Sequence, residues 1–386
     1  MANYVDQIHR CFRCGFCKMS KNFVDYNCPS YNRFRFESYS TGGRLWLIEA
    51  WRSKKIEWSE YLAEIVFSCV NCRNCVEQCP MRFNTDILDW INAARSDIIE
   101  QGLSPRHVNE FLQNIYRYGN PWGLPRDSRG NWMEKVKGIE YYTNEKEYLY
   151  YIGCVGSYDQ RGQNMAINYA NLLNKAYISF GILGVEEDCD GNEVSILGET
   201  ELFRELATKN VEKFNTLGVR KIITLSPHAY NTMKNKYRKL NKIEILHYTQ
   251  VLEKMIEEDK LGPLHFNTNV TYHDPCFLGR YNAIYETPRI IIQSISGITL
   301  IEMDRNKENA FCCGGGSGNF VFDLLGNSEE SPSRTRVREA HKLGVEHLIV
   351  ACPSCLIMFD EAIKAENLED KLTVIDLAEL VKKSLR

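Results

Sequence analysis

The chain reads Cys11-Phe-Arg-Cys14-Gly-Phe-Cys17, and Cys28-Pro29 follows a short distance on. The same order returns as Cys69-Val-Asn-Cys72-Arg-Asn-Cys75, followed by Cys79-Pro80. Each run is a C-x2-C-x2-C triplet with a separate Cys-Pro behind it. Thiolates at such spacing are typical metal ligands, and the duplication predicts two metal sites.

The triplets with their separate Cys-Pro pairs indicate iron-sulfur clusters. In bacterial two-cluster proteins a C-x2-C-x2-C triplet supplies three thiolates to one cluster, and the distant Cys-Pro supplies the fourth ligand to the other. We therefore expect two [4Fe-4S] cubanes with crossed ligand sets. These sets are Cys11, Cys14, Cys17 and Cys79 for the first cubane, and Cys69, Cys72, Cys75 and Cys28 for the second.

Zinc and disulfides are the alternative explanations for so many cysteines. A structural zinc takes four ligands, and the third cysteine and the Cys-Pro of each run exceed the usual zinc motifs. Disulfides are disfavoured because the cysteine number is odd, at 15, the N-terminus has no signal-peptide pattern, and 386 residues build a core without covalent links. Iron-sulfur clusters remain the prediction.

Composition narrows the class of protein. The 47 Lys and Arg residues nearly balance 50 Asp and Glu, so the net charge of −3 gives no electrostatic case for nucleic-acid binding. No run of about 18 apolar residues predicts a membrane span, so any quinone or haem is expected on another subunit. Many reduced thiols favour a cytoplasmic, oxygen-poor setting.

The first 101 residues are expected to form a helical domain around the cubanes. Thr41 is a plausible N-cap for a helix over 44–51, Ser59 precedes a helical pattern over 60–67, and residues 84–101 repeat it. This favours the helical ferredoxin type of larger redox complexes. Four tryptophans are assigned to the core of this domain: Trp46, Trp51, Trp58 and Trp90.

Residues 102–146 are rich in proline and glycine. They are expected to be a linker with one helix over 108–118, packed on the surface of the domain that it follows.

The remainder of the chain contains an internal repeat. Its second half carries a lone cysteine, a Cys-Cys pair and a C-x2-C: Cys276, Cys312, Cys313, Cys352 and Cys355. The first half has the same intervals but different residues: Cys154, Cys189-Asp190, and Ser226-Pro-His-Ala229. Leu217-Gly-Val219 and Leu343-Gly-Val345 stand at equivalent places. The pattern predicts a duplicated module over 147–262 and 263–386.

Strand and helix patterns alternate in each half. Strands are predicted over 148–152, 221–225, 270–273 and 347–351, with helices at 166–174 and from Pro288. Such alternation favours an open parallel sheet in each module, with ligands at the carboxyl ends of the strands. The fold class is therefore multidomain α+β, a helical two-cluster domain followed by two tandem α/β modules.

The C-terminal motifs resemble the cysteine-rich CCG domain found in the B and D subunits of heterodisulfide reductase. They read His273-Asp-Pro-Cys-Phe-Leu-Gly-Arg280, Phe311-Cys-Cys-Gly314 and Cys352-Pro-Ser-Cys355. The D subunit also joins a two-cluster ferredoxin domain to two CCG modules, so the likeness covers nearly the whole chain. By resemblance Cys276, Cys312, Cys313, Cys352 and Cys355 bind a third cluster, a noncubane [4Fe-4S].

The first module departs from that pattern. Asp190, Ser226 and Ala229 replace three of the five cysteines, and alanine has no donor atom. A second noncubane cluster is therefore not expected. A zinc site from Cys154, Cys189, Asp190 and His228 is the alternative to a packed module without metal.

These features predict an electron-transfer component of a hetero-oligomeric redox complex. No flavin or nicotinamide motif is visible, so the resemblance implies a flavoprotein partner: electron-transferring flavoprotein, an acyl-CoA dehydrogenase or a heterodisulfide reductase A-like subunit. Whether the chain is itself an enzyme stays open. The alternative function is a disulfide or heterodisulfide reductase acting at the C-terminal cluster.

Some neighbours of the motifs have open roles. The glycines of Gly314-Gly-Gly-Ser-Gly318 are expected to bring backbone N–H groups close to cluster sulfur. His273 and Asp274 either tune the third cluster or cap a loop. A group of basic residues either docks a partner or is simply solvated: Lys18, Lys21, Arg73 and Arg82.

Overall fold

The computed structural model describes residues 7–23, 25–238, 240, 242–326 and 328–385. A helical N-terminal region precedes two α/β modules, each with its own four-stranded parallel sheet. This is the fold class that the sequence predicts.

Six helices precede the first strand. They are α1 Pro29–Phe34, α2 Thr41–Arg52, α3 Glu60–Phe67, α4 Asn74–Gln78, α5 Ile87–Glu100 and α6 Arg106–Tyr118. Ser59 caps α3 as expected, its hydroxyl accepting a hydrogen bond from the Leu62 N–H. The cap of α2 is Ser40, which accepts from the Gly43 N–H, and the expectation of Thr41 was wrong.

The tryptophans of this region do not all lie in the core. Trp58 and Trp90 are buried, but Trp46 is 43% exposed. The Trp46 indole N–H donates to the Cys11 carbonyl at 2.9 Å, so the ring lies over the first cysteine run at the surface. The assignment of Trp46 to the core was wrong because helical spacing does not reveal this contact.

The stretch 102–146 is ordered. It holds α6 and a 3-10 helix over Arg126–Lys135, in which Arg129 and Trp132 are buried. Arg129 reaches the first module, so the stretch contributes to that module as well as connecting it. The boundary residues of the four predicted segments stay predictions.

The first module alternates strands and helices. Its elements are β1 Tyr148–Tyr151, α7 Gly153–Tyr158, α8 Gln160–Lys175, β2 Phe180–Gly181, α9 Asn192–Leu197, α10 Thr200–Thr216, β3 Lys221–Thr224, α11 Pro227–Asn235, β4 Glu244–His247 and α12 Tyr248–Glu257. The sheet order is β2-β1-β3-β4, and every pairing is parallel.

The second module repeats this arrangement. Its elements are β5 His265–Tyr272, α13 Glu286–Gln293, β6 Ser296–Leu300, α14 Pro332–Lys342, β7 His347–Val350, α15 Pro353–Ala365, β8 Thr373–Asp376 and α16 Leu377–Ser384. The order β6-β5-β7-β8 is that of the first sheet, again all parallel. The strands buried on both faces carry apolar runs, as such sheets require.

A buried arginine joins the three parts of the molecule. Arg95 of α5 donates to the carbonyl of Ile196 at 2.6 Å, to the Ser317 hydroxyl at 3.1 Å and to the Cys69 carbonyl. Close backbone contacts add to this junction. A Cβ on Gly198 would lie 2.6 Å from the Ser96 nitrogen, and one on Gly316 would lie 2.2 Å from the Val70 carbonyl oxygen. The cysteine-bearing loops are therefore packed against one another.

Candidate metal centres

The first group of cysteines surrounds a small cavity near the surface. Cys11, Cys14, Cys17 and Cys79 all line it. Gly15 has φ +85, which lets the backbone turn tightly between these cysteines. Cys79 ends α4, so the second motif brings its last cysteine to the first triplet.

The second group lies deeper. Cys28, Cys72 and Cys75 are buried and Cys69 is half-buried. Cys75 has Cys69, Cys72 and Cys28 as electrostatic neighbours, and burial with these thiols raises its pKa well above the ordinary value. Cys17 also faces Cys75 and Cys28, so the two groups adjoin. The structure thus brings together the residues of each expected crossed set, while iron binding by each residue stays a prediction.

The third group is built by loops at the carboxyl ends of two strands. Cys276 follows β5. Cys352 stands two residues beyond β7, at the N-cap position of α15, and Cys355 lies in the first turn of that helix. All five cysteines are buried. The Cys313 and Cys355 sulfur atoms are 3.3 Å apart, and Cys312 is in hydrogen-bonding contact with Cys276.

Hydrogen bonds between the thiols favour the thiolate at Cys313 and Cys352, whereas at Cys312 and Cys355 they raise the pKa well above its ordinary value. Contacts from Cys312 and Cys355 outweigh burial and lower the pKa of Cys313 well below its ordinary value. Burial opposes ionisation of Cys352, but hydrogen bonds from Cys355 and His228 lower its pKa to about 5. Thiolates at neutral pH are the form that binds metal.

His273 belongs to the same group. Its ring nitrogen, Cys313 sulfur and Cys355 sulfur lie within 4.8 Å of one another, a spacing suited to a metal ion. The buried His273 Nε2 has no hydrogen-bond partner in protein. Burial lowers the pKa of His273, which keeps the imidazole neutral. Asp274 is directed elsewhere, forming a two-pronged ion pair with Arg289 at 2.8 and 2.9 Å.

The glycine loop supports these sulfur atoms. The N–H of Gly314 donates to Cys312 sulfur at 3.3 Å, and that of Gly315 donates to Cys313 sulfur at 3.4 Å. Gly314 has φ +89, a conformation that glycine adopts without strain. The loop therefore brings backbone donors to sulfur, although these sulfur atoms belong to the cysteines themselves.

The second and third groups meet directly. The Cys72 side chain is in hydrogen-bonding contact with that of Cys312. Arg280 lies at this junction, buried, and donates to the Cys72 carbonyl at 2.7 Å and to the Ala310 carbonyl at 2.6 Å. The sequence gives no sign of this contact, because more than two hundred residues separate its partners.

The first module keeps two buried thiols. Cys154 and Cys189 are in contact, and Arg129 donates to Cys154 sulfur at 3.7 Å. The Cys189 contact lowers the pKa of Cys154, and Arg129 acts in the same direction. Arg129 also pairs with buried Glu187 at 2.9 Å.

The four residues of the alternative zinc site line one cavity, but within the described residues their ligand atoms do not come close enough together to hold a metal ion. Asp190 accepts the Asn192 N–H at 2.8 Å. His228 pairs through Nδ1 with Glu193 at 2.6 Å and contacts Cys352 of the second module. Within the described ranges, Cys154 and Cys189 have no third His, Cys or carboxylate close enough to complete a metal site.

A cavity lies between the two modules. It is lined from the first module by Cys154, Cys189 and His228, and from the second by Pro353 and Ser354. Glu193 closes one side, accepting the Gly318 N–H at 2.8 Å.

The basic residues near the cubane motifs differ in their contacts. Lys18 pairs with Glu37, and Lys21 pairs with Glu308 at 2.9 Å. Arg73 lies over the Tyr281 ring, with 5.3 Å between the guanidinium carbon and the ring centroid, while Arg82 is exposed.

No helix in the described part of the chain has the length and apolar character of a membrane span.

Two known domain families match the chain. Residues 7–83 match the 4Fe-4S dicluster domain, and residues 148–234 and 270–360 match the cysteine-rich domain named CCG. A crystal structure of a hypothetical protein from Helicobacter pylori resembles the fold, with TM-score 0.54 and 13% identity, covering 92% of this chain and 70% of that one. That likeness concerns the fold alone.

Curated relatives match most of the chain. The probable iron-sulfur-binding oxidoreductase FadF of Bacillus subtilis is 38% identical over 83% of this chain and 47% of its own length. The EtfAB:quinone oxidoreductase of Syntrophomonas wolfei is 36% identical over 84% and 47%. This chain therefore spans about half the length of these two relatives.

A third relative matches from end to end. The D subunit of the dihydromethanophenazine:CoB–CoM heterodisulfide reductase of Methanosarcina barkeri is 29% identical over 98% of this chain and 94% of its own length. With the domain matches, this shows an iron-sulfur protein of oxidoreductase type. The chain belongs to the family that joins a 4Fe-4S dicluster domain to tandem cysteine-rich CCG domains, the family of the heterodisulfide reductase D subunits and their relatives.

Proposed function

We propose that this chain is an electron-relay subunit of a redox complex, in which the three cysteine groups hold two [4Fe-4S] cubanes and one further, noncubane [4Fe-4S] cluster. Clusters of this kind supply one-electron transfer, and their potentials are set by charge, hydrogen bonds and solvent exposure. The residues of the chain hold, separate and tune these sites.

The donor sets suit such clusters. Two groups offer four thiols each, and the third offers five thiols with a neutral, unpartnered imidazole nitrogen beside them. Thiolate is the ligand that iron-sulfur clusters prefer. The glycine N–H groups at Cys312 and Cys313 sulfur are donors of the type that stabilises a reduced cluster.

The observation that carries the proposal is the contact between Cys72 and Cys312. Through this contact the three cysteine groups form one continuous path. The path runs from the exposed Cys14 through the second group to the buried third group. A protein that only stored metal would not need its sites to touch. Arg280 fixes the distance between the second and third groups through its carbonyl hydrogen bonds.

The proposed partner is a flavoprotein, with electron-transferring flavoprotein as the first candidate, because a relative carries EtfAB in its name. An acyl-CoA dehydrogenase and a heterodisulfide reductase A-like subunit are the other candidates. The complex would be hetero-oligomeric, and a partner would supply any contact with a membrane.

Iron analysis tests the cluster count. Protein purified without oxygen should contain about twelve iron atoms and as many acid-labile sulfides for three [4Fe-4S] clusters. About four iron atoms would overturn the count.

Disulfide reduction is a second candidate function, favoured by the cavity between the modules, which ends beside Cys352 at Pro353 and Ser354. Turnover of a disulfide by the isolated chain with reduced methyl viologen would support it. Reduction of a flavoprotein without disulfide turnover would support the relay.

A further inference from the structure

Cys14 differs from the other cysteines in being exposed at the surface. Aromatic side chains surround it: Phe12 is 65% exposed and Phe16 39%. Large exposed aromatic side chains in one place mark contact sites for other proteins. Phe12 and Cys14 line the cavity of the first cysteine group.

Two contacts hold exposed aromatic side chains near Cys14. The guanidinium of Arg13 lies over the Trp46 ring, 4.0 Å from its centroid, and the Trp46 indole N–H is bonded to the Cys11 carbonyl. On the other side the Phe16 ring packs edge-on against Phe23, with 5.1 Å between centroids. We name this surface, formed by Phe12, Arg13, Cys14, Phe16, Phe23 and Trp46, the Cys14 face.

Exposed arginine side chains belong to the Cys14 face or stand next to it in the sequence. Arg13 belongs to it, Arg10 precedes Cys11, and Arg82 follows Met81, which lines the same cavity as Cys14. Arg10, Arg13 and Arg82 are exposed, and no carboxylate of the described residues lies within ion-pairing distance of them. Lys18 and Lys21 are already paired with Glu37 and Glu308. The unpaired arginines therefore set the sign of this surface.

Resting on the electron-relay function, we propose that the Cys14 face docks a redox protein whose own docking face is acidic. Complementary charge accelerates encounter, and the aromatic side chains exclude water from the contact through which the electron passes. One electron moves from the reduced partner to the first cysteine group's cluster, so the partner is oxidised by one electron and no bond is formed or broken. Small, transient interfaces suit such exchange.

The test measures how fast the cluster-loaded chain is reduced by two donors in stopped flow. An acidic bacterial ferredoxin, reduced beforehand, probes the docking face. Reduced methyl viologen, a small dication, probes the clusters without docking. Arg10→Glu with Arg13→Glu should slow reduction by ferredoxin about tenfold at low ionic strength and weaken its salt dependence. Reduction by methyl viologen should not slow.

Two further variants complete the experiment. Lys342→Glu with Lys371→Glu makes the same charge change at exposed positions of the second module and should leave the ferredoxin rate unchanged. Phe12→Ala should slow the ferredoxin reaction several-fold with an unchanged salt dependence, because it removes apolar contact and no charge.

The outcomes separate this inference from the relay itself. If both donors reduce the chain and the arginine variant matches the lysine control, the docking face is wrong and the relay stands. If methyl viologen fails to reduce the third cluster of the native chain, the relay is wrong.

Discussion

The two cysteine-rich modules share one sheet order but have opposite chemistry at their strand ends. The second gathers five buried thiols with His273, whereas the first keeps Cys154 and Cys189. Where the second has Cys352 and Cys355, the first has Ser226 and Ala229 on the equivalent helix. The two modules therefore share a framework and differ in the residues that could bind metal.

The difference shows what the first module does instead. Between Ser226 and Ala229 lies His228, which reaches across to Cys352. Burial disfavours the imidazolium, but the Glu193 carboxylate outweighs it and holds the pKa of His228 well above its ordinary value. Glu193 in turn accepts the Gly318 N–H of the second module. The first module thus brings a positive charge and a hydrogen bond to the sulfur of the second.

The largest expected effect comes from removing ligands in one module and not the other. Cys352→Ser with Cys355→Ser should remove about a third of the iron, because one of three clusters loses its thiolates. Cys154→Ser with Cys189→Ser is the matched control and should retain all iron. Iron and sulfide analysis measures both, and equal losses would contradict the difference between the modules.

The next effect concerns His228. His228→Ala leaves the Glu193 carboxylate buried without its cation, which should lower the free energy of unfolding by about 3–5 kcal/mol. It should also lower the reduction potential of the third cluster, since a hydrogen bond and a positive charge favour the reduced form. Denaturant unfolding and a potentiometric titration followed by electron paramagnetic resonance measure the two effects.

A double variant separates these consequences of His228. His228→Ala with Glu193→Ala removes both buried charges and should recover much of the stability while the potential stays low. An unchanged potential in both variants would show that His228 does not act on the cluster.

A smaller effect is expected at the glycine loop. Gly316→Ala should lower the free energy of unfolding by about 1–3 kcal/mol. The new Cβ would overlap the Val70 carbonyl oxygen and push the glycine loop away from the helical domain. Gly130→Ala is the control, since its Cβ would meet Val185 at an ordinary 3.4 Å. Equal stability of the two variants in thermal unfolding would rule out this contact.

A last effect is a pair of opposite pH dependences at equivalent positions, the final residues of β4 and β8. Burial raises the pKa of Asp376 to about 7, so its contribution to stability is full below the unfolded value of 3.8 and is lost as pH rises through 7. Burial lowers the pKa of His247 to about 3, so its contribution is full above 6.5 and declines as pH falls towards 3.

Neutral replacements test this pair. Between pH 5 and 8, Asp376→Asn should remove a decline of stability with rising pH, and His247→Asn should remove a decline with falling pH. Denaturant unfolding across this range measures both. Parallel pH profiles for native protein and variants would contradict the buried environments.

The strands and helices can be predicted from the sequence because each depends on the spacing of apolar residues within a short segment. The strands expected over 148–152 and 347–351 are observed as β1 and β7 within a residue, and the predicted repeat appears as two sheets of equal order. The helix expected over 108–118 is α6, which begins at Arg106.

Contacts between distant segments escaped prediction. The junction of Cys72 with Cys312, and the reach of His228 to Cys352, depend on how three domains pack, which no local pattern encodes. His228 was grouped with Cys154 and Cys189 because it is close to them in the repeat. The burial of Arg129 within the predicted linker also depends on how distant segments pack, so it was not predicted.

Anomalous diffraction at the iron absorption edge, from crystals grown without oxygen, tests the central claim most directly. We expect iron at three places: within each crossed cubane set, and beside Cys313 and Cys355, next to the second cubane across Cys72 and Cys312. Iron between Cys154 and Cys189, or none beside Cys313 and Cys355, would contradict this claim.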